Sequence, residues 1–310
     1  MAEKTFDITM AFDDAKYLNP QLYMFFDSLI DKLPENTVVH IVTNRYMTDD
    51  VISYILKLPI KVKYYYNDGN TTKHLKSRCK YMLNCFNIDT DKDWIVKLEC
   101  DMLALKHLNE LYKVIDDKYD IIIEQERRRM IDNDVLEKRI WKNIYNAMDI
   151  KCPTDRFITT EDRKMSLPLF GTGVIFIKSK LLPIINKYWI DKTNVCEKWI
   201  EFNIHPNEFA FTGIIYDNKL KFNIFPTEIY DFNPISYYRD GEFPSQKLID
   251  DIILPDDIVI FSYHRAWWLE QLLPTNKKLN DIVDRNMKYI PNDWWELNQN
   301  KFMEKSNVQR

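Results

Sequence analysis

The sequence predicts an α/β fold, a largely parallel sheet covered by helices. Short apolar runs of strand length alternate with segments whose apolar residues recur at helical spacing. The alternation persists from residue 6 to residue 126, as repeated β–α units require, and the strand cores are apolar. A chain of 310 residues with 45% hydrophobic and 14% aromatic residues and only 5 glycines can bury the core such a fold needs. Its length allows one large domain or two small ones.

The first unit is the strand FDITMAF at 6–12, ending at Asp13 and Asp14, and then a helix opening at Pro20, whose fixed φ suits a first turn. TVVHIVTNR (37–45) is a second strand, followed by a helix in DDVISYILKL. IKVKYYY (60–66) is a third and stops at Asn67-Asp68-Gly69. A helix is expected over 72–86, with Leu75, Cys79, Met82, Leu83 and Phe86 on one stripe, leading into the apolar strand 94–98. YDIIIEQE (119–126) is a further strand. From 127 the pattern changes: Leu136, Ile140, Ile144 and Met148 at four-residue spacing predict a helical insertion, followed by an irregular polar piece to Pro168. LFGTGVIFIKS (169–179) returns to strand character, NEFAFTGII (207–215) reads as helix and DIVIFSYH (257–264) as a last strand. The expected division is one domain over 1–273, with the insertion at 127–168, and a polar, Trp-containing extension over 274–310. For Trp294 and Trp295, docking of that extension on apolar core is expected ahead of a sugar platform or a lipid-surface contact.

The charge balance narrows the function classes. Lys and Arg total 43 against 47 Asp and Glu, a net charge of −4, which excludes coating nucleic acid by charge alone. The 5 cysteines are odd in number and form no C-x-x-C pair, so reduced thiols are expected rather than a disulfide framework or zinc knuckle. No basic N-terminal region precedes a long apolar run, and no apolar stretch approaches bilayer length; a cytoplasmic location is expected.

The motif that carries chemistry lies in DWIVKLECDML (93–103), where Glu99 and Asp101 follow an apolar strand. Ligands of open α/β sheets collect at the carboxyl ends of strands, and on extended backbone positions i and i+2 share a face. A carboxylate pair there suits a hard divalent cation, Mg²⁺ or Mn²⁺, with substrate phosphates completing its shell.

This arrangement resembles the GT-A class of nucleotide-sugar-dependent glycosyltransferases, in particular enzymes related to the glycogenin and galactosyltransferase type. IVKLECD is similar to that class's strand and Asp-x-Asp motif, with Glu99 in place of the first Asp. LFGTGVIFIKS is similar at Phe170, Gly173 and Val174 to the class's Gly-containing strand, and His264, followed by Trp267, stands where the class has its metal-binding His, although its Gly and Lys-Pro are absent. The resemblance implies a GT-A-like, Rossmann-type sheet and transfer of a sugar from a nucleoside diphosphate donor, UDP-linked, with Mn²⁺ or Mg²⁺. Asp101, His264 and Glu99 would hold the metal, with most weight on Asp101. Thr9, Ala11, Asp13 and Tyr17 map to the base and ribose site, Arg78 and Gly173 to the donor, and Arg265 to the diphosphate. Near the anomeric carbon, Glu208 would serve as general base or as an electrostatic stabiliser, with Asp162 and Glu201 less well placed.

Other readings stay open at this stage. A sugar-nucleotide nucleotidyltransferase shares the architecture but needs a Gly-rich loop after the first strand, and AFDDAKYLNP has no Gly. A binding module of the same fold that has lost catalysis is the other alternative. The acceptor is a glycan, protein, lipid or modified DNA base; Arg127, Arg128 and Arg129 are the basic residues that would meet a nucleic acid.

Overall fold

A computed structural model describes residues 4–12, 19–44, 46–67, 80–125, 131, 133–159, 163–202, 205–233, 254–263 and 266–295. Its centre is a seven-stranded sheet in the order β10-β6-β9-β4-β1-β2-β3. The strands are β1 (Phe6–Phe12), β2 (Val38–Thr43), β3 (Lys61–Tyr66), β4 (Trp94–Lys97), β6 (Ile121–Gln125), β9 (Phe170–Lys178) and β10 (Phe222–Ile224). Six run parallel; β9 alone is antiparallel to both its neighbours, β4 and β6. The predicted mostly parallel α/β sheet is therefore present.

Every residue of β1 and β4 is buried, which explains why both are mostly apolar, since helices cover both faces of the central strands; the exceptions, Asp7, Thr9 and Lys97, each have a hydrogen-bond partner. The edge strand β3 shows the opposite pattern, mostly exposed with Lys61 and Lys63, charges that discourage edge-to-edge pairing. Helix α1 (Asn19–Leu29) buries nearly its whole circumference, because the sheet lies on one side and the C-terminal segment on the other. Helices α4 (Leu182–Cys196) and α5 (Pro206–Asp217) cover the opposite face, and α3 (Asp134–Ala147) packs outside them. Asn133 caps α3 by accepting from the backbone N–H groups of Val135 and Leu136, each at 3.0 Å. The insertion is pinned by the buried Glu137, which pairs with Arg156 at 3.2 Å and accepts from Ser166 Oγ at 3.0 Å.

Several expectations need correction. The helix expected over 72–86 ends, where it is described, as a 3₁₀ turn at Lys80–Asn84; residues 68–79 lie outside the described set. Glu99 and Asp101 do not share a face of an extended strand: β4 stops at Lys97, and the Met102 N–H closes a turn on the Glu99 carbonyl at 3.1 Å. The chain reverses there to form β5 (Met102–Ala104), which pairs antiparallel with β11 (Ile260–Ser262). The helix α4, the strands β5 and β10, and the small ladder of β7 (Phe157–Ile158) with β8 (Met165–Ser166) have no counterpart in the sequence reading.

The polar extension contains a helix. After α2 (Asp49–Ile55) and the short α6 (Thr227–Tyr230), the chain ends in α7 (Ala266–Leu272) and α8 (Lys277–Asn286). Leu279, Ile282, Val283, Ile290 and Trp294 pack with Met24 of α1, Leu103 of β5 and Phe261 of β11. Trp294 is 1% exposed, as the docking expectation requires. Arg285 donates through two nitrogens to one Asp27 oxygen, at 2.9 and 2.6 Å, fixing α8 to α1. The extension thus braces the β5–β11 ladder, which carries Asp101 and Tyr263 side by side at one end.

Replacing Trp294 with Ala is expected to cost about 3–5 kcal/mol in denaturant unfolding, because the indole lies wholly within this cluster. A cost below about 1 kcal/mol would show that the extension does not brace the ladder.

Candidate functional site

Because β9 opposes its neighbours, its first residues lie at the same edge as the carboxyl ends of β4 and β6. Three backbone segments meet there: the turn Glu99–Met102, the start of β9 at Gly171–Gly173, and the end of β6 at Glu124 and Gln125. The fourth contribution comes from α5, whose Asn207 donates from Nδ2 to Thr172 Oγ1 at 2.9 Å. Trp189 Nε1 holds the Asn207 carbonyl at 2.9 Å from behind. Glu208, in the first turn of α5, is nearly buried and lies 3.6 Å from His205 Nδ1.

Lys97 is the charged group at the centre of this junction. Its side chain is 1% exposed, and Nζ donates to Glu99 Oε1 at 3.0 Å, to the Gly173 carbonyl at 3.3 Å and to the Thr172 carbonyl. Burial alone would push the ammonium down, but the Glu99 carboxylate, with Asp101 adding to it, outweighs it and holds Lys97 above the ordinary lysine range. Lys97 is therefore cationic at neutral pH, at the strand end.

Burial pushes the Cys85 thiol up to about 12. It also raises Cys100 well above the usual range, with Asp101 and Glu99 adding to the effect. Neither is a thiolate at neutral pH, so neither is a nucleophile. Tyr263 is likewise kept a neutral phenol by burial and by Asp101 and Cys100, and its backbone N–H donates to the Asp101 carbonyl at 3.1 Å.

Glycine is required where Glu124 crosses the start of β9. A Cβ at Gly171 would lie 2.7 Å from both Cγ and Cδ of Glu124. At Gly173 it would lie 3.3 Å from Asp231 Oδ2 and from the Met102 methyl and 3.4 Å from Glu124 Oε1. Two buried carboxylates, Glu124 and Asp231, thus face the backbone of Gly173. Beside them the Gln125 side-chain amide is buried, with no hydrogen bond at either terminal atom among the described residues.

Of the residues named from sequence, Glu99, Asp101, Gly173 and Glu208 border this junction. Thr9 is fully enclosed in β1 and donates through its hydroxyl to the Cys85 carbonyl, and Ala11 packs with Met82, Leu83 and Phe170. Their side chains support the crevice floor from within. Asp13, Tyr17, Arg78, Asp162, His264 and Arg265 lie outside the described residues, as do Arg127, Arg128 and Arg129, and the Glu201 side chain is not described. Among the described residues no cluster of three or more His, Cys, Asp or Glu is arranged to hold a metal ion. The oxygen donors at 99 and 101 fit a hard cation chemically, but Glu99 is already neutralised by Lys97. No described helix is long and apolar enough to cross a membrane.

Sequence reasoning passed over Lys97, Glu124, Asn207 and Asp231. A lysine inside WIVKL was a readable signal, since a cation in a buried strand needs a partner. Asp231 had no local signal; it reaches Gly173 only through the pairing of Phe232 with Phe261.

The fold matches solved structures. The galactosyltransferase LgtC superposes with a TM-score of 0.56 at 11% identity, covering 94% of this chain and 99% of its own. Mouse xyloside xylosyltransferase 1 gives a TM-score of 0.53 at 13% identity, covering 84% and 97%. The glycosyltransferase GlyE of Streptococcus pneumoniae gives 0.52 at 14%, covering 91% and 63%. The chain therefore has the GT-A fold. No protein-family model matches the sequence, and no curated protein matches it significantly.

The packing of Glu124 over Gly171 yields a double-variant test. Gly171→Ala is expected to destabilise by about 1–3 kcal/mol, because the Cβ must displace a packed side chain. In Gly171→Ala/Glu124→Ala the loss, read from thermal unfolding, should fall short of the two single losses added together. Simple additivity would mean that the two residues do not compete for space.

Proposed function

We propose that the protein transfers a sugar from a nucleoside diphosphate donor, UDP-linked, to a hydroxyl acceptor. The observation that supports this most is the junction itself: on a GT-A fold, Asp101 lies in the turn after β4, whose last residue Lys97 is bonded to the start of β9, and the Tyr263 N–H, one residue before His264, donates to the Asp101 carbonyl. Asp101 and His264, with Glu99 as the further candidate, would hold a divalent cation of the Mn²⁺ or Mg²⁺ type. When bound, that ion supplies Lewis-acid stabilisation of charge on the departing diphosphate.

The chain's own residues account for the remaining requirements. Gly173 lets backbone approach the sugar, since any side chain there would meet Asp231 and Met102. Glu208 has a fixed helix origin, because Asn207 is bonded to Thr172 on one side and Trp189 on the other. A carboxylate so placed serves either as general base toward the acceptor hydroxyl or as a charge that steadies a positive anomeric centre. Arg265, Asp13, Tyr17 and Arg78 are the proposed diphosphate, base and donor contacts.

Incubation with a panel of UDP- and GDP-sugars and Mn²⁺, read as nucleoside diphosphate release before and after chelation, tests the reading. Slow release of UDP that stops on chelation is expected, and Asp101→Asn should lower it by at least about a hundredfold with an unchanged melting curve. Full activity in Asp101→Asn would remove the proposal, and pyrophosphate as the product would replace it with nucleotidyl transfer.

A further inference from the structure

We propose that Lys97 is a positioning residue of this site, an internal counter-ion that keeps Glu99 out of the metal's ligand set and joins the β4 turn to the start of β9. The role rests on the reading above and narrows it: Lys97 is not used there, and of the metal candidates named there Glu99 is removed. Three observations carry it.

An ammonium has three N–H donors, and those of Lys97 find three acceptors: one Glu99 oxygen and the carbonyls of Thr172 and Gly173. None is left for a substrate, so Lys97 acts on its neighbours rather than on the reaction. Second, Lys97 lies inside the sheet with a side chain 1% exposed, whereas its partner Glu99 retains 24% exposure. The cation is enclosed, and the carboxylate that neutralises it looks outward. An enclosed ammonium without that partner would be strongly unfavourable, so the bond to Glu99 is a fixed feature of the fold.

Third, the acceptors belong to both walls of the crevice. Thr172, whose carbonyl Lys97 binds, receives Asn207 Nδ2 on its hydroxyl, so the same contact chain runs from Glu99 through Lys97 and Thr172 to the head of α5, where Glu208 sits. A divalent cation bound to Glu99 would have to share that carboxylate with an ammonium held 3.0 Å away, two like charges on one acceptor. On the proposed reading this leaves Asp101 and His264 to hold the ion, and Glu99 to serve as the fixed partner of Lys97.

Removing the pair together tests this without leaving a buried unpaired charge. Mn²⁺ binding in the presence of saturating UDP is followed by the electron paramagnetic resonance of free Mn²⁺, for wild type, Lys97→Met and Lys97→Met/Glu99→Gln. The double variant should bind Mn²⁺ within about threefold of wild type yet turn over at least about tenfold more slowly, with KM for the donor sugar changed less than kcat. Lys97→Met alone should bind Mn²⁺ more tightly, by about fivefold or more, since it removes a like charge and releases a carboxylate. If the double variant binds Mn²⁺ about tenfold more weakly, Glu99 is a ligand and the inference fails. Unchanged turnover in the double variant equally removes the positioning role. A wild-type protein that binds no Mn²⁺ with UDP present overturns the metal reading itself, and this role with it.

Discussion

One strand that runs against all its neighbours in the sheet creates the site. Had β9 been parallel, its first residues would lie at the far edge, and Gly171, Thr172 and Gly173 would be a strand's length from Glu99 and Asp101. Reversed, β9 delivers three backbone residues between the ends of β4 and β6, where open sheets present their ligand crevice. The reversal also creates an electrostatic problem, because Glu124 and Asp231 are brought against the start of β9 while Glu99 and Asp101 lie near Lys97, which is bonded to the same backbone. Lys97 meets part of that problem from inside the sheet.

The site is supported from two sides by different physics. On the β4 side the turn Glu99–Met102 continues into β5, and β5 with β11 is covered by apolar side chains of the C-terminal extension, Trp294 among them. Burial of that cluster fixes the backbone of Asp101 and Tyr263 without touching the chemistry. On the β9 side the support is polar: Lys97 to Thr172, Thr172 to Asn207, Asn207 to Trp189. Apolar packing tolerates small shifts, whereas this chain of directional bonds does not. Outside α4 and α5 lies α3, whose buried Glu137 ties the insertion together through Arg156 and Ser166.

Much of the fold was readable locally. The strands β1, β2, β3, β4, β6 and β9 all appear near their expected places, because uninterrupted apolar runs between turn residues specify buried strands. Helix α4 escaped because its buried stripe of Leu182, Ile185, Trp189, Thr193 and Cys196 includes a threonine, and Pro183 reads as a break although it sits harmlessly in the first turn. Strand β11 falls within the strand expected over 257–264, but its three-residue partner β5 and their pairing across about half the chain leave no local pattern. At the site, Glu99, Asp101, Gly173 and Glu208 were legible as motif residues. The relation among them was not: the turn at Glu99, the lysine beneath it and the approach of Glu124 and Asp231 to Gly173 are tertiary facts.

The central claim is that Asp101 marks the point where a divalent cation grips a diphosphate at the β4–β9 junction. Anomalous diffraction at the manganese edge, from crystals grown with Mn²⁺ and UDP, tests it most directly. The account predicts a single peak at ligand distance, about 2.0–2.2 Å, from an Asp101 oxygen and in contact with diphosphate oxygens. A peak elsewhere on the molecule, or nucleotide bound at the junction with no metal beside Asp101, would contradict it.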